Sequence, residues 1–440
     1  MSQALVVREY AELTTVPDKT SLKQTSIPES CFDWLVEQFG GSSTSGKLIV
    51  NVTGLRKLKL GSYVGFIQSP CGTSIEILPK HILTAKSENQ LEESRKVLLK
   101  MIAVSMNLPF QQVGSANLQL MKYPLPEWIY ARFLGELDRL YKKGLRFSYE
   151  TVEEESRFLR GQLNTSIQLR QPPGQDHRFH IRHEIFTPNR PENRLIKLAL
   201  GIVREKVQQA DNWRLANELG HLLEELPESL SPDLDFRRWG DSRLMTTYRD
   251  IRPWCELIIH QLNPLAQKGG HEGISLLFPM EKLFEHYVVH ALRKEVKHHW
   301  RLRTQLSGES LCTHKPSGKT ARKMFRLIPD IVLTCGKNRQ ILDTKWKVLN
   351  CADINDKYGL KQPDFYQMFA YGKKYMEGRG ELMLIYPLTD SFDAPLPVFT
   401  FDDDMRLWIV PFDLKKGTLV DGEYCEAFPS LYTKPKALAG

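Results

Sequence analysis

The stretch RLIPDIVLTCGKNRQILDTKWKV, residues 326–348, contains two apolar runs separated by a segment rich in turn-forming residues. Because side chains alternate along a strand, Asp343 and Lys345 lie on one face of the second run. A tight turn at Gly336 and Lys337 would pair the two runs as a hairpin and place Asp330 directly opposite Asp343. The sequence therefore predicts two carboxylates and one lysine at the same end of a β-hairpin.

Such a cluster has a recognisable chemistry. Two facing carboxylates repel each other, and a divalent cation between them relieves the repulsion; oxygen ligands of this kind suit Mg²⁺, with Mn²⁺ as the alternative metal. A lysine beside the metal can orient attacking water and offset negative charge that develops on a phosphate. We therefore predict Asp330 and Asp343 as metal ligands and Lys345 as a catalytic cation. The structural alternative is an exposed hairpin with charges on its solvent face.

Two amphipathic helices are predicted on either side of this hairpin. The later one carries DFYQMFAYGKKY, in which Gln367 and Tyr371 are four residues apart and share a helical face. We predict that Gln367 supports the catalytic residues. The earlier one, PMEKLFEHYVVHALRK, has Glu281 and Glu285 at the border of its apolar face. Either could be a third carboxylate of the site; Glu285 is the candidate, although periodicity does not choose between them.

The distribution of charge favours a polyanionic partner. The chain has a formal net charge of +8, and residues 293–347 alone contain fourteen Lys and Arg against four acidic residues. Two of those four acids are the predicted metal ligands, so their surroundings are almost wholly cationic. A solvated basic surface is the alternative, but phosphate binding also fits this pattern. Arg326, Lys347 and Tyr371 are the predicted contacts with such a polyanion.

The chain of 440 residues is long enough for two or three domains. Residues 1–110 alternate short β-like runs with turn signals and predict a β-rich N-terminal domain. Residues 111–274 are mainly helical, and residues 275–440 have the mixed order of helices and strands that is typical of a sheet flanked by helices. The predicted fold class is α/β (α+β), with a helical stalk joining the β-rich domain to a C-terminal mixed sheet.

Several other signals do not indicate a site. The segment GSSTSGK, residues 41–47, matches the spacing of a phosphate-binding loop, but a helix precedes it and Leu48 follows the lysine. The histidines of HRFHIRHE lack a metal-binding spacing and predict a basic surface strand. The seven scattered cysteines favour a reducing cytoplasm over a disulfide framework. No apolar run approaches the roughly 18 residues that span a bilayer, so we expect no membrane contact.

The pattern P-D-x12-D-x-K, followed by QxxxY on the next helix, resembles the signature of the PD-(D/E)xK nuclease superfamily. The likeness to one of its members, the McrC family of McrBC restriction systems, extends over most of the chain. The segments that carry it are IEILPKHI, KGLRFSYETVEEESRFLRGQL, FTPNRPENRLIKLAL, LFEHYV, IPDIVL, ILDTKWK, YQMFAYG and LMLIYP. Several short motifs that follow one another in the same order as in the family indicate membership more specifically than any single motif does.

The resemblance implies a nuclease subunit that works with a ring-shaped partner, so DNA is the expected partner of Arg326, Lys347 and Tyr371. In that family, a hexameric AAA+ GTPase, McrB, recognises methylated cytosine in double-stranded DNA and translocates, and McrC stimulates nucleotide hydrolysis and cuts. The segment before about Ser275 would then contact the motor in the manner of a finger-like insert. Two alternatives stay open: an adaptor that activates the ring without cutting, and a stand-alone repair nuclease.

Overall fold

The computed structural model describes residues 4–17, 21–40, 48–81, 88–108, 124–172, 174–175, 177–240, 243–261, 273–317, 320–402 and 404–431. The chain forms two compact units, one comprising residues 1–122 and 277–440 and the other residues 123–276. Segments from both ends of the chain thus belong to the first unit. The division into three domains at residues 110 and 274 stays a prediction.

The N-terminal part of the first unit is rich in strands, as its alternating apolar pattern predicts. A parallel pair, β1 with β7, joins β6 and a later strand, β11, in one sheet of order β1-β7-β6-β11, and a second sheet has the order β3-β2-β5-β4. The elements are β1 (Leu5–Arg8), β2 (Glu12–Thr14), β3 (Gln24–Ser26), α1 (Glu29–Phe39), β4 (Val50–Gly54), β5 (Lys57–Leu60), β6 (Tyr63–Gln68), β7 (Ser74–Leu78), α2 (Glu88–Ser105) and β11 (Ile274–Pro279).

The second unit is mainly helical and carries a three-stranded sheet of order β8-β10-β9. The helix α3 begins after Pro124 and ends at Lys143, and it is followed by Gly144, whose φ of 90° suits a residue that terminates a helix. The elements are α3 (Leu125–Lys143), β8 (Ser148–Ser156), β9 (Gln162–Leu163), α4 (Thr165–Gln168), β10 (Phe179–Thr187), α5 (Pro191–Lys206), α6 (Ala210–Leu222), α7 (Pro232–Arg238) and α8 (Arg252–Glu256). The strand expected at HRFHIRHE is confirmed as part of β10.

The C-terminal part of the first unit is a seven-stranded mixed sheet with helices against it, so the α+β fold class is confirmed. The strands run in the order β12-β15-β16-β17-β19-β18, with β20 paired to β19. The elements are α9 (Met280–Glu295), β12 (Arg301–Thr304), β13 (Glu309–His314), β14 (Arg322–Leu327), β15 (Ile331–Cys335), β16 (Asn338–Thr344), α10 (Gln362–Tyr375), β17 (Gly380–Pro387), β18 (Phe399–Asp402), β19 (Met405–Asp413), β20 (Thr418–Leu419) and α11 (Tyr424–Ala427).

The hairpin at the centre of this sheet has the predicted register. β15 and β16 are antiparallel, with Ile331 opposite Leu342 and Cys335 opposite Asn338, and Gly336 has the positive φ of 59° that a tight turn requires. One step beyond the first of these pairs, Asp330 and Asp343 fall at corresponding positions. β16 then pairs in parallel with β17, after α10 has crossed between them.

The helix α10 packs onto the sheet through a continuous buried face. The core cluster on this side includes Met368, Tyr371 and Tyr375 from the helix and Ile341, Leu382 and Leu407 from three neighbouring strands. Close packing leaves no room at Gly372, where an added Cβ would lie 2.3 Å from the sulfur of Met405. This packing fixes the positions of Gln367 and Tyr371 relative to β16.

The segment GSSTSGK at residues 41–47, whose flanking sequence argues against a phosphate-binding loop, lies outside the described residues. All seven cysteines are free thiols. Among the described helices, none combines the length and apolar character needed to cross a membrane.

Candidate functional site

Asp330 and Asp343 lie together at one end of the β15–β16 hairpin. Asp330 immediately precedes β15, and its Oδ2 accepts hydrogen bonds from the backbone N–H of Thr344 at 2.8 Å and from its hydroxyl at 2.7 Å. Asp343 is 1% exposed near the end of β16. The hairpin register therefore brings the two carboxylates together, as the sequence predicts.

Lys345 completes the cluster and is held by a chain of hydrogen bonds from α10. Its Nζ contacts Oδ2 of Asp343 and donates to Oε1 of Gln367 at 2.9 Å. The Nε2 of Gln367 donates to the Tyr371 hydroxyl at 2.8 Å, and that hydroxyl donates to the carbonyl oxygen of Ile328 at 2.9 Å. The spacing of four residues on α10 thus connects the lysine to the segment that leads into Asp330.

A third carboxylate comes from α9. Glu285 is 6% exposed, and the amide nitrogen of Gln305 lies between its Oε1 and Oδ1 of Asp330, 3.4 Å from the latter. Lys282 also contacts Glu285, with 2.8 Å between Nζ and Oε2. Glu281 is exposed. Of the two glutamates that the sequence left open, the structure brings Glu285 to the aspartates.

Burial and repulsion from neighbouring carboxylates raise the pKa values of the two aspartates of the cluster. Burial and the nearby charge of Asp330 raise the pKa of Asp343 to about 7. Burial and the charge of Glu285 also raise the pKa of Asp330. Burial opposes the charged form of Lys345, yet attraction to Asp343 and Asp330 raises its pKa above the ordinary value. Lys345 thus interacts with both Asp343 and Asp330, which repel each other, while Lys282 pairs with Glu285.

The donor set fits a hard divalent cation. No group of three or more His, Cys, Asp or Glu side chains in the described part of the chain already has the arrangement of a metal site. However, Oδ1 of Asp343 accepts no hydrogen bond from a described residue, and Oδ1 of Asp330 has only the 3.4 Å contact with Gln305. Two oxygen atoms of desolvated, mutually repelling carboxylates are therefore available, which is the ligand chemistry that Mg²⁺ prefers.

The three predicted DNA contacts have different surroundings. Arg326 is exposed on β14. Lys347 forms an ion pair with Asp364, with 2.6 Å between Nζ and Oδ2. Tyr371 is 2% exposed, and its hydroxyl is engaged with Gln367 and Ile328. This burial differs from the DNA contact expected of Tyr371, because only a solvent-facing side chain can meet a phosphate or a base.

Residues from distant parts of the chain contact the cluster or the residue next to it, and no motif in the sequence predicted them. Glu9 is 1% exposed, and its Oε1 accepts a 2.6 Å hydrogen bond from the indole nitrogen of Trp346, the residue after Lys345. Lys80 donates to the carbonyl oxygen of Trp346 at 3.1 Å. Gln305 has a positive φ of 50°. No local motif marks these positions, since each depends on a partner far away in sequence.

Comparison with known proteins gives the family. The family model described as McrBC 5-methylcytosine restriction system component matches residues 58–387, which is most of the chain and includes every residue of the cluster from Glu285 to Tyr371. The chain belongs to this family. No curated protein matches it.

Two solved structures of the McrBC family are similar in fold. One is the half-complex from a tetradecameric assembly of Thermococcus gammatolerans McrB AAA+ hexamers with bound McrC; the match has a TM-score of 0.63 and 17% identity and covers 97% of this chain and 98% of that one. The other is the cryo-EM structure of the Thermococcus gammatolerans McrBC complex, with a TM-score of 0.50, 20% identity, and coverage of 66% of this chain and 88% of that one. At these identities the likeness concerns the fold.

Proposed function

We propose that this chain is the DNA-cutting subunit of an McrBC-like restriction system, a Mg²⁺-dependent endonuclease of the PD-(D/E)xK type. The observation that carries the proposal is the contact of Lys345 with Asp343 and Gln367 beside Asp330. A catalytic lysine, two acidic ligands and a glutamine on the following helix are the parts that hydrolysis of a phosphodiester needs: charge neutralisation, a metal, and orientation.

Each side chain of the cluster has a distinct role in this proposal. Asp330 and Asp343 would hold Mg²⁺ or Mn²⁺. Glu285 would be the third carboxylate of the site once the amide of Gln305 no longer occupies its Oε1. The bound cation supplies Lewis-acid polarisation of the scissile phosphate. Lys345 donates hydrogen bonds to the attacking water or to the phosphate oxygens and offsets the charge that accumulates on them. Thr344 keeps Oδ2 of Asp330 in place through its two hydrogen bonds.

Gln367 and Tyr371 act on the lysine. Gln367 accepts a hydrogen bond from Nζ, so it limits the rotamers available to Lys345 and keeps one of its protons pointed away from the substrate. The Tyr371 hydroxyl accepts a hydrogen bond from Nε2 of Gln367 and so fixes the orientation of the amide. We therefore assign both as positioning residues, since a flexible lysine would lose part of the rate advantage that a prealigned group provides.

We further propose an AAA+ partner ring and double-stranded, methylated DNA as substrate. The structural neighbours contain McrB AAA+ hexamers, and this supports a motor partner for the present chain. The second unit has side chains suited to an assembly contact: apolar residues that are more than half exposed occur along and beyond its β8 strand, namely Tyr149, Phe158, Leu159, Leu169 and Phe186. We assign residues 111–274 to the motor contact.

A cleavage assay tests the proposal. Methylated and unmethylated plasmids are incubated with Mg²⁺, or with Mn²⁺, and the chain alone or together with its AAA+ subunit and nucleotide. We expect cutting with partner and nucleotide, and its loss in Asp343→Asn with stimulation of nucleotide hydrolysis retained. Asp356→Asn, at an exposed position of the same unit, is the matched control and should cut normally.

The remaining outcomes distinguish the alternatives. Cutting by the chain alone, independent of the ring, would identify a stand-alone nuclease. Stimulated hydrolysis without cutting in either metal would identify an adaptor. Normal cutting by Asp343→Asn would show that the site lies elsewhere.

A further inference from the structure

A separate two-stranded ribbon comes immediately before the candidate site in the chain. β13 and β14 pair only with each other among the described strands. The first five residues of β14 and the last four of β13 are exposed, so both faces of the ribbon meet solvent. A hairpin that buries neither face gains little stability of its own. Its exposure therefore points to a role in contacting something else.

The ribbon carries positive charge that the protein does not neutralise. Lys315, Arg322, Lys323 and Arg326 are all exposed, and none of them forms an ion pair with a described residue. Other surface cations of the same unit do pair, including Arg406 with Glu381 and Lys415 with Glu93. In the described part of the ribbon, the acidic residue Glu309 lies at its base. Unpaired cations at this density favour phosphate groups as partners.

An exposed aromatic residue lies among these cations in an unusual conformation. Phe325 is 71% exposed and has a φ of 56°, in the left-handed region. For a bulky residue that conformation is strained, and such outliers cluster at functional positions. The nearby Leu311 is 48% exposed. An apolar side chain between cations is suited to contact bases or sugars while the cations contact the backbone.

The base of the ribbon is fixed by the helix that positions Lys345. The Tyr375 hydroxyl lies 2.7 Å from the carbonyl oxygen of Leu327 and accepts a hydrogen bond from the N–H of Glu309 at 3.2 Å, so it contacts both strands. Gln367, Tyr371 and Tyr375 follow one another at intervals of four residues on α10. These three residues lie on one face of α10. Gln367 contacts Lys345, Tyr371 contacts Ile328 two residues before Asp330, and Tyr375 contacts the base of the ribbon.

We propose that the β13–β14 ribbon enters a groove of duplex DNA beside the cleaved phosphate, with Arg322, Lys323 and Arg326 on the backbone and Phe325 against bases or sugars. This rests on the proposed nuclease function. Strands of six residues extend roughly 20 Å, and the major groove, about 12 Å wide, admits a two-stranded ribbon. Because Asp330 follows β14 by three residues, DNA held by the ribbon lies next to the carboxylates.

The test measures duplex binding by the full chain. Fluorescence anisotropy of a labelled DNA of about 25 base pairs reports the binding, in EDTA and across a range of NaCl concentrations. Each lost phosphate contact should reduce the slope of log affinity against log salt by about 0.9. We expect the triple variant Arg322→Ala, Lys323→Ala, Arg326→Ala to lose roughly two to three from that slope. Phe325→Ala should weaken binding several-fold with the slope unchanged, because no counterion is involved.

Two further triple variants control for charge and folding. Lys23→Ala, Arg56→Ala, Lys59→Ala removes three exposed cations elsewhere in the same unit and should keep the wild-type slope. Arg322→Lys, Lys323→Arg, Arg326→Lys preserves every charge of the ribbon and should also keep it. Thermal unfolding of each variant checks that the fold is intact.

Several outcomes would overturn the inference. They are equal slopes for the ribbon and control triples, absence of duplex binding by the wild type at low salt, or a ribbon triple that binds DNA normally and loses only stimulation of the AAA+ partner. This test can fail independently of the nuclease proposal, because it measures DNA binding and not cleavage. Asp343→Asn should bind DNA like the wild type without cutting it, so a ribbon that binds DNA in a chain that never cuts would refute only the nuclease assignment.

Discussion

The indole nitrogen of Trp346 donates a 2.6 Å hydrogen bond to Oε1 of Glu9, across 337 residues of sequence. Trp346 follows the candidate catalytic lysine, whereas Glu9 follows the first strand of the chain. Lys80 contacts the same glutamate through its backbone N–H at 2.9 Å. Burial raises the pKa of Glu9, although Lys80 opposes the increase. The N-terminal segment therefore helps to form the wall behind the candidate site.

We expect Trp346→Phe to destabilise the protein by about 1–3 kcal/mol, because the carboxylate of Glu9 stays buried after losing a donor. The ring contact with Phe284 can persist in this variant, and the loss reports on the hydrogen bond together with the cavity that the smaller ring leaves. Chemical unfolding measures the effect. Trp213→Phe, at a position that is 56% exposed, is the control and should change the free energy of unfolding by less than about 0.5 kcal/mol. Equal effects of the two substitutions would contradict the prediction.

The two glutamates of α9 should differ in their effect on cleavage. Glu285→Gln removes a buried charge that interacts with Asp330 through Gln305, and we expect the Mg²⁺ concentration for half-maximal cutting to rise by roughly 10–100-fold. Glu281→Gln, one helical turn earlier and exposed, should have little effect. A titration of cutting against Mg²⁺ measures both, and a larger effect at Glu281 would reverse our assignment.

Removal of one hydroxyl should show that Tyr371 acts through Gln367. In Tyr371→Phe, Gln367 loses the oxygen that fixes its amide, so Lys345 samples more conformations. We expect cleavage to slow by roughly tenfold or more with duplex affinity and its salt dependence unchanged. Single-turnover cleavage and anisotropy measure the two quantities. A loss of DNA affinity without a loss of rate would instead support the DNA contact expected from the sequence.

A buried ion pair in the second unit predicts a pH dependence of stability. The hydrogen bond from Arg194, 2.5 Å from Nη2 to Oδ1, lowers the pKa of Asp235 below its usual 3.8, although burial opposes the change. Because the folded-state pKa is depressed, the stabilisation is present above pH 3.8 and is lost as pH falls through the folded pKa.

The difference in unfolding free energy between wild type and Asp235→Asn should therefore be largest near neutral pH, at about 3–5 kcal/mol, and shrink in acid below that window. Denaturant unfolding at a series of pH values measures it. Asp233→Asn, whose side chain is 76% exposed on the same helix, should show a small difference at every pH. A constant difference for Asp235→Asn would contradict the role of its charge.

Much of the candidate site could be predicted from local pattern. The turn at Gly336, the alternation of the two strands and the spacing of four residues on α10 are properties of short segments, and the register of β15 with β16 agrees with them. The choice between Glu281 and Glu285 could not be made in this way. Both lie at the border of one apolar helical face, and only the packing of α9 determines which carboxylate is buried.

The sequence by itself determined which groups meet within the hairpin, because a tight turn and the two-residue period of strands leave one register for Asp330, Asp343 and Lys345. Only the tertiary structure decided what surrounds them. Gln305 contacts the cluster, Glu9 and Lys80 contact the neighbouring Trp346, and these contacts depend on how distant apolar faces pack together. Their hydrogen bonds form because that packing removes water and leaves buried polar groups to satisfy one another, a condition that no short stretch of sequence specifies.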